Sequence, residues 1–294
     1  MQIKNLISET PDYLRLGLGA MVFSFCFLFA VPELNTFIKA TGAVVVAGLV
    51  LPAAFWLRFR ANIPISKTVL VTAIPAGIMG TTVGFQAVTA STGLSSWSGL
   101  ASLSAGASTM SITVVYGGSL ALVAYAFRGN NDHRLPAVNL ATLLPCIIVI
   151  IVSISLAVII DLNRGMTLAD YVSLKVFSIY FGVFFLLLVG SASNNVAKIL
   201  AEASITGTVL CIVIALIVWF AGLTVGTIPE DATNIATLGL LYGSFLFVIS
   251  YYVSLLTGET DEINFDIKNW HLIESAALYI LLVFAPPSIF EIAA

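Results

Sequence analysis

The residues equipped for acid–base, nucleophilic or metal chemistry are few and poorly placed for it. The chain holds two histidines, His133 and His271, and three cysteines, Cys26, Cys146 and Cys211. Haem ligation within a membrane needs histidines at mid-depth, whereas both histidines sit among the polar residues that bound the apolar runs. The cysteines are odd in number, lie inside apolar runs and lack C-x-x-C spacing, so they read as small buried side chains. Ser104 and Ser108 fall across the bilayer from both histidines in the topology derived below, which removes an intramembrane Ser–His pair. No GxGD, HExxH or phosphate-cradling glycine loop occurs. The acidic stretch of Glu259, Asp261, Glu262 and Asp266 lacks the internal glycine and final glutamate of a calcium loop and reads as a solvated turn. The expectation is a protein that is not an enzyme and needs neither metal nor cofactor.

Ionisable groups inside membrane spans mark ion pathways, because a charge at the bilayer centre costs at least about 2.5–3.5 kcal/mol. Here the span centres are nearly empty of them. Lys39 and Lys175 fall within a turn or so of outer span ends, and Glu274 within about a turn of the inner end of the last span. Snorkelling to the interface accounts for all three. The functional alternative makes the two lysines an anion-concentrating outer vestibule and Glu274 a gating or ion-coupling group. Thr81, Thr82, Gln86 and Thr89 form the most polar run at depth. Uncharged hydroxyl and amide groups replace part of an anion's hydration shell without trapping it, although interhelical hydrogen bonding explains them equally well.

These residues must be positioned by elements that live in lipid. Of 294 residues, 59% are apolar and 9% charged, against roughly 45–50% and 25% in an ordinary soluble domain. Apolar runs of about 20 residues select helices over a barrel. Runs near 14–31, 40–57, 68–90, 109–127, 137–160, 171–191, 204–224, 236–256 and 270–288 predict an all-α polytopic bundle of about nine spans in a single transmembrane domain, 1–294. The formal charge of -3 excludes nucleic acid as a main partner. The partners expected are the lipid bilayer and a small anionic solute.

With the N-terminus in the cytoplasm, nine Lys and Arg fall inside and three, Lys39, Arg164 and Lys175, outside. The expected location is the bacterial inner membrane, with the first span retained and the C-terminus outside. The odd-numbered spans begin near 14, 68, 138, 204 and 270, so a helical hairpin repeats, broken by the Ser- and Gly-rich link from Ser91 to Ser108. Each odd span carries a kinking or small residue: Gly17 and Gly19, Pro75 with Gly77, Gly80 and Gly84, Pro145, Gly207, and Pro286 with Pro287. Such residues serve either close helix packing or a pore wall.

The order of residues resembles the tellurite-resistance and C4-dicarboxylate transporter family, which includes the slow anion channels of plant guard cells. The likeness rests on Tyr13–Ala20 (YLRLGLGA), Ala73–Gly84 (AIPAGIMGTTVG), Leu135–Val138 (LPAV) and Ile205–Leu210 (ITGTVL). It implies hairpins in quasi-fivefold order around a central pore, often in a trimer. Gly19, Pro75, Gly77, Pro145 and Gly207 would then line the pore, joined by Thr81 and Gln86 from the residue reading. The family has ten spans and a gating phenylalanine in the ninth, where this chain has nine and reads Trp270, His271, Leu272, Ile273, Glu274. The function expected is an anion channel or uniporter for small inorganic anions or organic acids. The alternatives are a proton- or sodium-coupled transporter using Glu274, or a non-conducting subunit of a larger complex.

Overall fold

Backbone N–H and C=O groups surrounded by apolar side chains must pair within their own segment, and helices do this locally. The computed structural model describes residues 40–92, 112–125, 135–162, 167, 171–190, 195–225, 230–260, 263–265 and 268–279. Among these residues there are eight helices and no strand. They are α1 (Ala40–Ala61), α2 (Ile65–Thr92), α3 (Ile112–Tyr125), α4 (Leu140–Leu162), α5 (Leu174–Gly190), α6 (Val196–Val225), α7 (Glu230–Thr257) and α8 (268–279). Every expected span from 40–57 onward overlaps one of these helices, whereas the first, 14–31, lies outside the described residues. Three stretches are long and apolar enough to cross a membrane: Ile65–Phe85, Val196–Gly222 and Ala232–Thr257. Shorter apolar stretches occupy Ile112–Tyr125, Leu140–Ser155 and Leu174–Gly190.

Local chemistry sets the helix ends. The side chains of Asn139, Ser173 and Asn195 each accept the backbone N–H three residues on, at 2.9, 3.4 and 3.0 Å, capping α4, α5 and α6. Asn62, at φ 53°, ends α1 in the left-handed region and hydrogen-bonds Arg58, and the Pro64 carbonyl then accepts from Lys67 to start α2. Gly258, at φ 74°, ends α7, and Glu259 N–H reaches back to the Ser254 carbonyl at 3.1 Å, closing a Schellman turn.

Contacts between helices alternate in direction along the chain. Thr113 of α3 donates to the Gly77 carbonyl of α2 at 3.0 Å, while Gly117 abuts Ala73, so α2 and α3 run antiparallel. Trp56 Nε1 donates to the Thr142 carbonyl at 2.8 Å and Cys146 Sγ lies over the Ala53 carbonyl, which joins α1 to α4. The Tyr180 hydroxyl of α5 donates to the Gly239 carbonyl of α7 at 2.6 Å and lies 2.8 Å from Thr208 Oγ1 of α6. The antiparallel pair α6–α7 has the most extensive packing, and α7 also packs on α2. Accordingly α2 and α7 are largely buried, 89% and 72% over their apolar windows, while α6 is 33% buried. On α5, Phe177, Phe181 and Phe185 are exposed at four-residue spacing and stack in sequence, 6.4 and 6.3 Å apart. An exposed apolar face of that kind suits lipid rather than water.

Candidate functional site

One end of the bundle gathers the α1–α2 turn with Arg58, Arg60 and Lys67, the starts of α4, α6 and α8, and the end of α7. Val138 N–H donates to the Leu255 carbonyl at 2.8 Å there, and Lys268 Nζ pairs with Glu202 at 2.7 Å. A cavity of about 970 Å³ opens at this end between α2, α3, the turn after α7, and α8. Leu70, Ile74, Leu122, Leu135, Phe265 and Ile273 contribute apolar wall, and Tyr125 and Trp270, both exposed, also border it.

The polar atoms of the cavity come from residues held in place by the fold. Thr68 Oγ1 lies 3.2 Å from the Tyr251 hydroxyl, which fixes that ring between α2 and α7, and Phe265 meets Tyr251 edge-on at 5.5 Å. Asn269, 3% exposed, donates from Nδ2 to the Leu70 carbonyl at 2.9 Å. Its Oδ1 and the Oγ1 of Thr260, a residue 8% exposed, are buried and have no hydrogen-bond partner among the described residues. Lys67 places a cationic side chain on the same wall. Pro75 has no amide hydrogen to give the carbonyl of Val71, four residues earlier, and Val71 also borders the cavity. The wall thus combines a cation, a hydroxyl and an outward-facing amide oxygen on a mainly apolar surface. No group of three or more metal-ligating side chains occurs among the described residues.

The residues expected to line a pore lie elsewhere. Pro75 and Gly77 are buried in α2, and a Cβ at Gly77 would lie 2.5 Å from the Thr113 carbonyl oxygen, so α3 fills the space beside it. Thr81 is paired with Thr113 Oγ1 at 2.5 Å, the interhelical bond that competes with a pore role. Thr82 bonds back to the Ile78 and Met79 carbonyls. Gly207 is covered by the Tyr180 ring, where a Cβ would overlap it. Pro145 is half-buried in α4. None of these residues borders the cavity. Gly19, Lys39, Thr89 and the side chain of Gln86 lie outside the described residues. Lys175 is exposed at the start of α5, and Glu274, also exposed, meets His271 Nδ1 at 3.1 Å on the outside of α8.

Sequence reasoning passed over Thr260, Asn269 and Tyr251, and took Lys67 only as a topology charge. The available signal was weak: an asparagine and a tryptophan opening the last span, four residues after the acidic turn. Nothing in the spacing brings them to Lys67, about 200 positions earlier.

Comparison with protein-family models, with curated proteins and with solved structures gives no match to this chain. Fold and site together define a helical bundle with membrane-length apolar helices and a polar-walled cavity at its cationic end.

Proposed function

We propose that the chain is a membrane transport protein that passes small inorganic anions or organic acids, with no catalytic activity of its own. The observation that carries this reading is the cavity at the cationic end, where Lys67, Thr260 and Asn269 offer polar atoms on an apolar wall. Lys67, Lys198 and Lys268 then lie on the cytoplasmic side of a bacterial inner membrane, in keeping with the excess of Lys and Arg assigned inside. Span centres without fixed charge favour passage of a solute over a proton relay. The complete bundle would carry about nine spans, and the resemblance to the tellurite-resistance and C4-dicarboxylate transporter family adds a central pore and a homotrimer to the proposal.

Reconstitution in liposomes tests it: chloride, nitrate and malate flux is measured with and without an imposed proton gradient. Anion flux that ignores the gradient is the expected result. Absence of flux in both conditions would remove the transport reading for these solutes. A second reading, coupled transport, draws on the His271–Glu274 pair, which sets two titratable groups 3.1 Å apart. In that case Glu274→Gln abolishes gradient-driven uptake, whereas in a channel it alters only conductance.

A further inference from the structure

We infer that the cavity between α2, α3, α7 and α8 binds an amphipathic organic acid that carries a hydroxyl or amino hydrogen-bond donor beside its acidic group. The inference rests on the transport reading above, whose solute class it narrows. Asn269 supplies the first half of the argument. Its Nδ2 is committed to the Leu70 carbonyl at 2.9 Å, so the amide cannot turn over without losing that bond, and its buried Oδ1 remains an acceptor with no partner among the described residues. A buried acceptor left unpaired costs the desolvation of that atom, and native structures seldom leave one so without a reason. Thr260 Oγ1, equally buried and unpartnered, adds a second such atom to the cavity wall.

An acceptor calls for a donor on the ligand. Lys67 on the same wall selects an acidic group and disfavours a cation, which would otherwise suit an amide and a hydroxyl oxygen. The rest of the wall, with Leu122, Leu135, Phe265 and Trp270, rewards an apolar body of drug-like size in a cavity of about 970 Å³. Water can satisfy either oxygen but gains nothing from such walls, whereas an apolar body that displaces it does.

Isothermal calorimetry on the full-length protein in lipid nanodiscs tests this with 3-phenyllactate, 3-phenylpropionate, which lacks only the hydroxyl, and the methyl ester of 3-phenyllactate, which lacks the acid. The hydroxy acid is expected to bind at least about tenfold more tightly than either analogue. Asn269→Ala and Thr260→Val should each shrink the preference for the hydroxyl. Thr260→Val is the safer variant for folding, because its hydroxyl has no partner to lose. The inference is overturned if the hydroxy acid and its deoxy analogue bind alike, or if the preference survives both substitutions. It is also overturned if none of the acids binds because mass spectrometry finds a phospholipid held stoichiometrically and released by Thr260→Val. Chloride and nitrate flux without hydroxy-acid preference would sink this inference and leave the transport reading intact, while selective binding without flux would do the reverse.

Discussion

Asn269 Nδ2 donates to the Leu70 carbonyl at 2.9 Å across 199 positions of sequence. The bond ties the start of α8 to the first turns of α2, beside the same cavity into whose wall both residues are built. Because Leu70 also sits within the α2 ladder, its carbonyl serves as an anchor for the amide rather than depending on it. Asn269→Leu is therefore expected to cost about 0.5–2 kcal/mol, in the range of polar contacts between membrane helices. Thr260→Val should stay within about 0.5 kcal/mol of the parent. Denaturation by SDS in mixed micelles measures both, and an equal loss in the two variants would contradict the assignment of Thr260 Oγ1 as unpartnered.

Gly117 and Gly118 are adjacent in α3 but meet different surroundings. A Cβ on Gly117 would overlap the Ala73 carbonyl of α2, whereas one on Gly118 has nothing within 4 Å. Gly117→Ala must push two backbones apart and should cost about 1–3 kcal/mol. Gly118→Ala should be neutral or stabilising by up to about 1 kcal/mol through helix propensity. Thermal aggregation followed by size-exclusion chromatography ranks the two, and a reversed order would place the α2–α3 contact on the wrong face.

Lys268 and Glu202 pair at 2.7 Å, with side chains 14% and 45% exposed. Glutamate exposed to that degree is screened by solvent, so Glu202→Gln should cost less than about 1 kcal/mol. That difference should shrink further between 0.05 and roughly 0.5 M salt as the Debye length shortens. A double-mutant cycle with Lys268→Met, run at both salt concentrations, reads the coupling directly, and a salt-independent value above about 2 kcal/mol would mean that the pair is desolvated.

Phe181 lies in the exposed, stacked row on α5, while Phe247 is fully buried in α7. In a background whose four tryptophans are replaced by phenylalanine, a tryptophan placed by Phe181→Trp should be strongly quenched by dibrominated phospholipid. One placed by Phe247→Trp should be quenched little. Equal quenching at the two positions would remove the lipid-facing assignment of α5.

Composition alone determined that this chain folds as helices with membrane-length apolar stretches. With 59% apolar residues in runs of about 20, α1 to α8 fall where those runs lie, because in such surroundings the backbone can pair only within its own segment. Helix ends were partly legible as well, since Asn62, Pro64 and Gly258 act through their own backbone preferences. The site was not. Gly77 and Gly207 carry the composition of a pore wall, but whether a small residue faces a cavity or a neighbouring helix depends on which helix packs there, and α3 and the Tyr180 ring occupy those places. Asn269, Thr260 and Lys67 are unremarkable polar residues at the edges of apolar runs until α2 and α8 run side by side. Only that tertiary contact aims the asparagine amide one way, commits its donor to Leu70 and leaves its acceptor buried and open to a ligand.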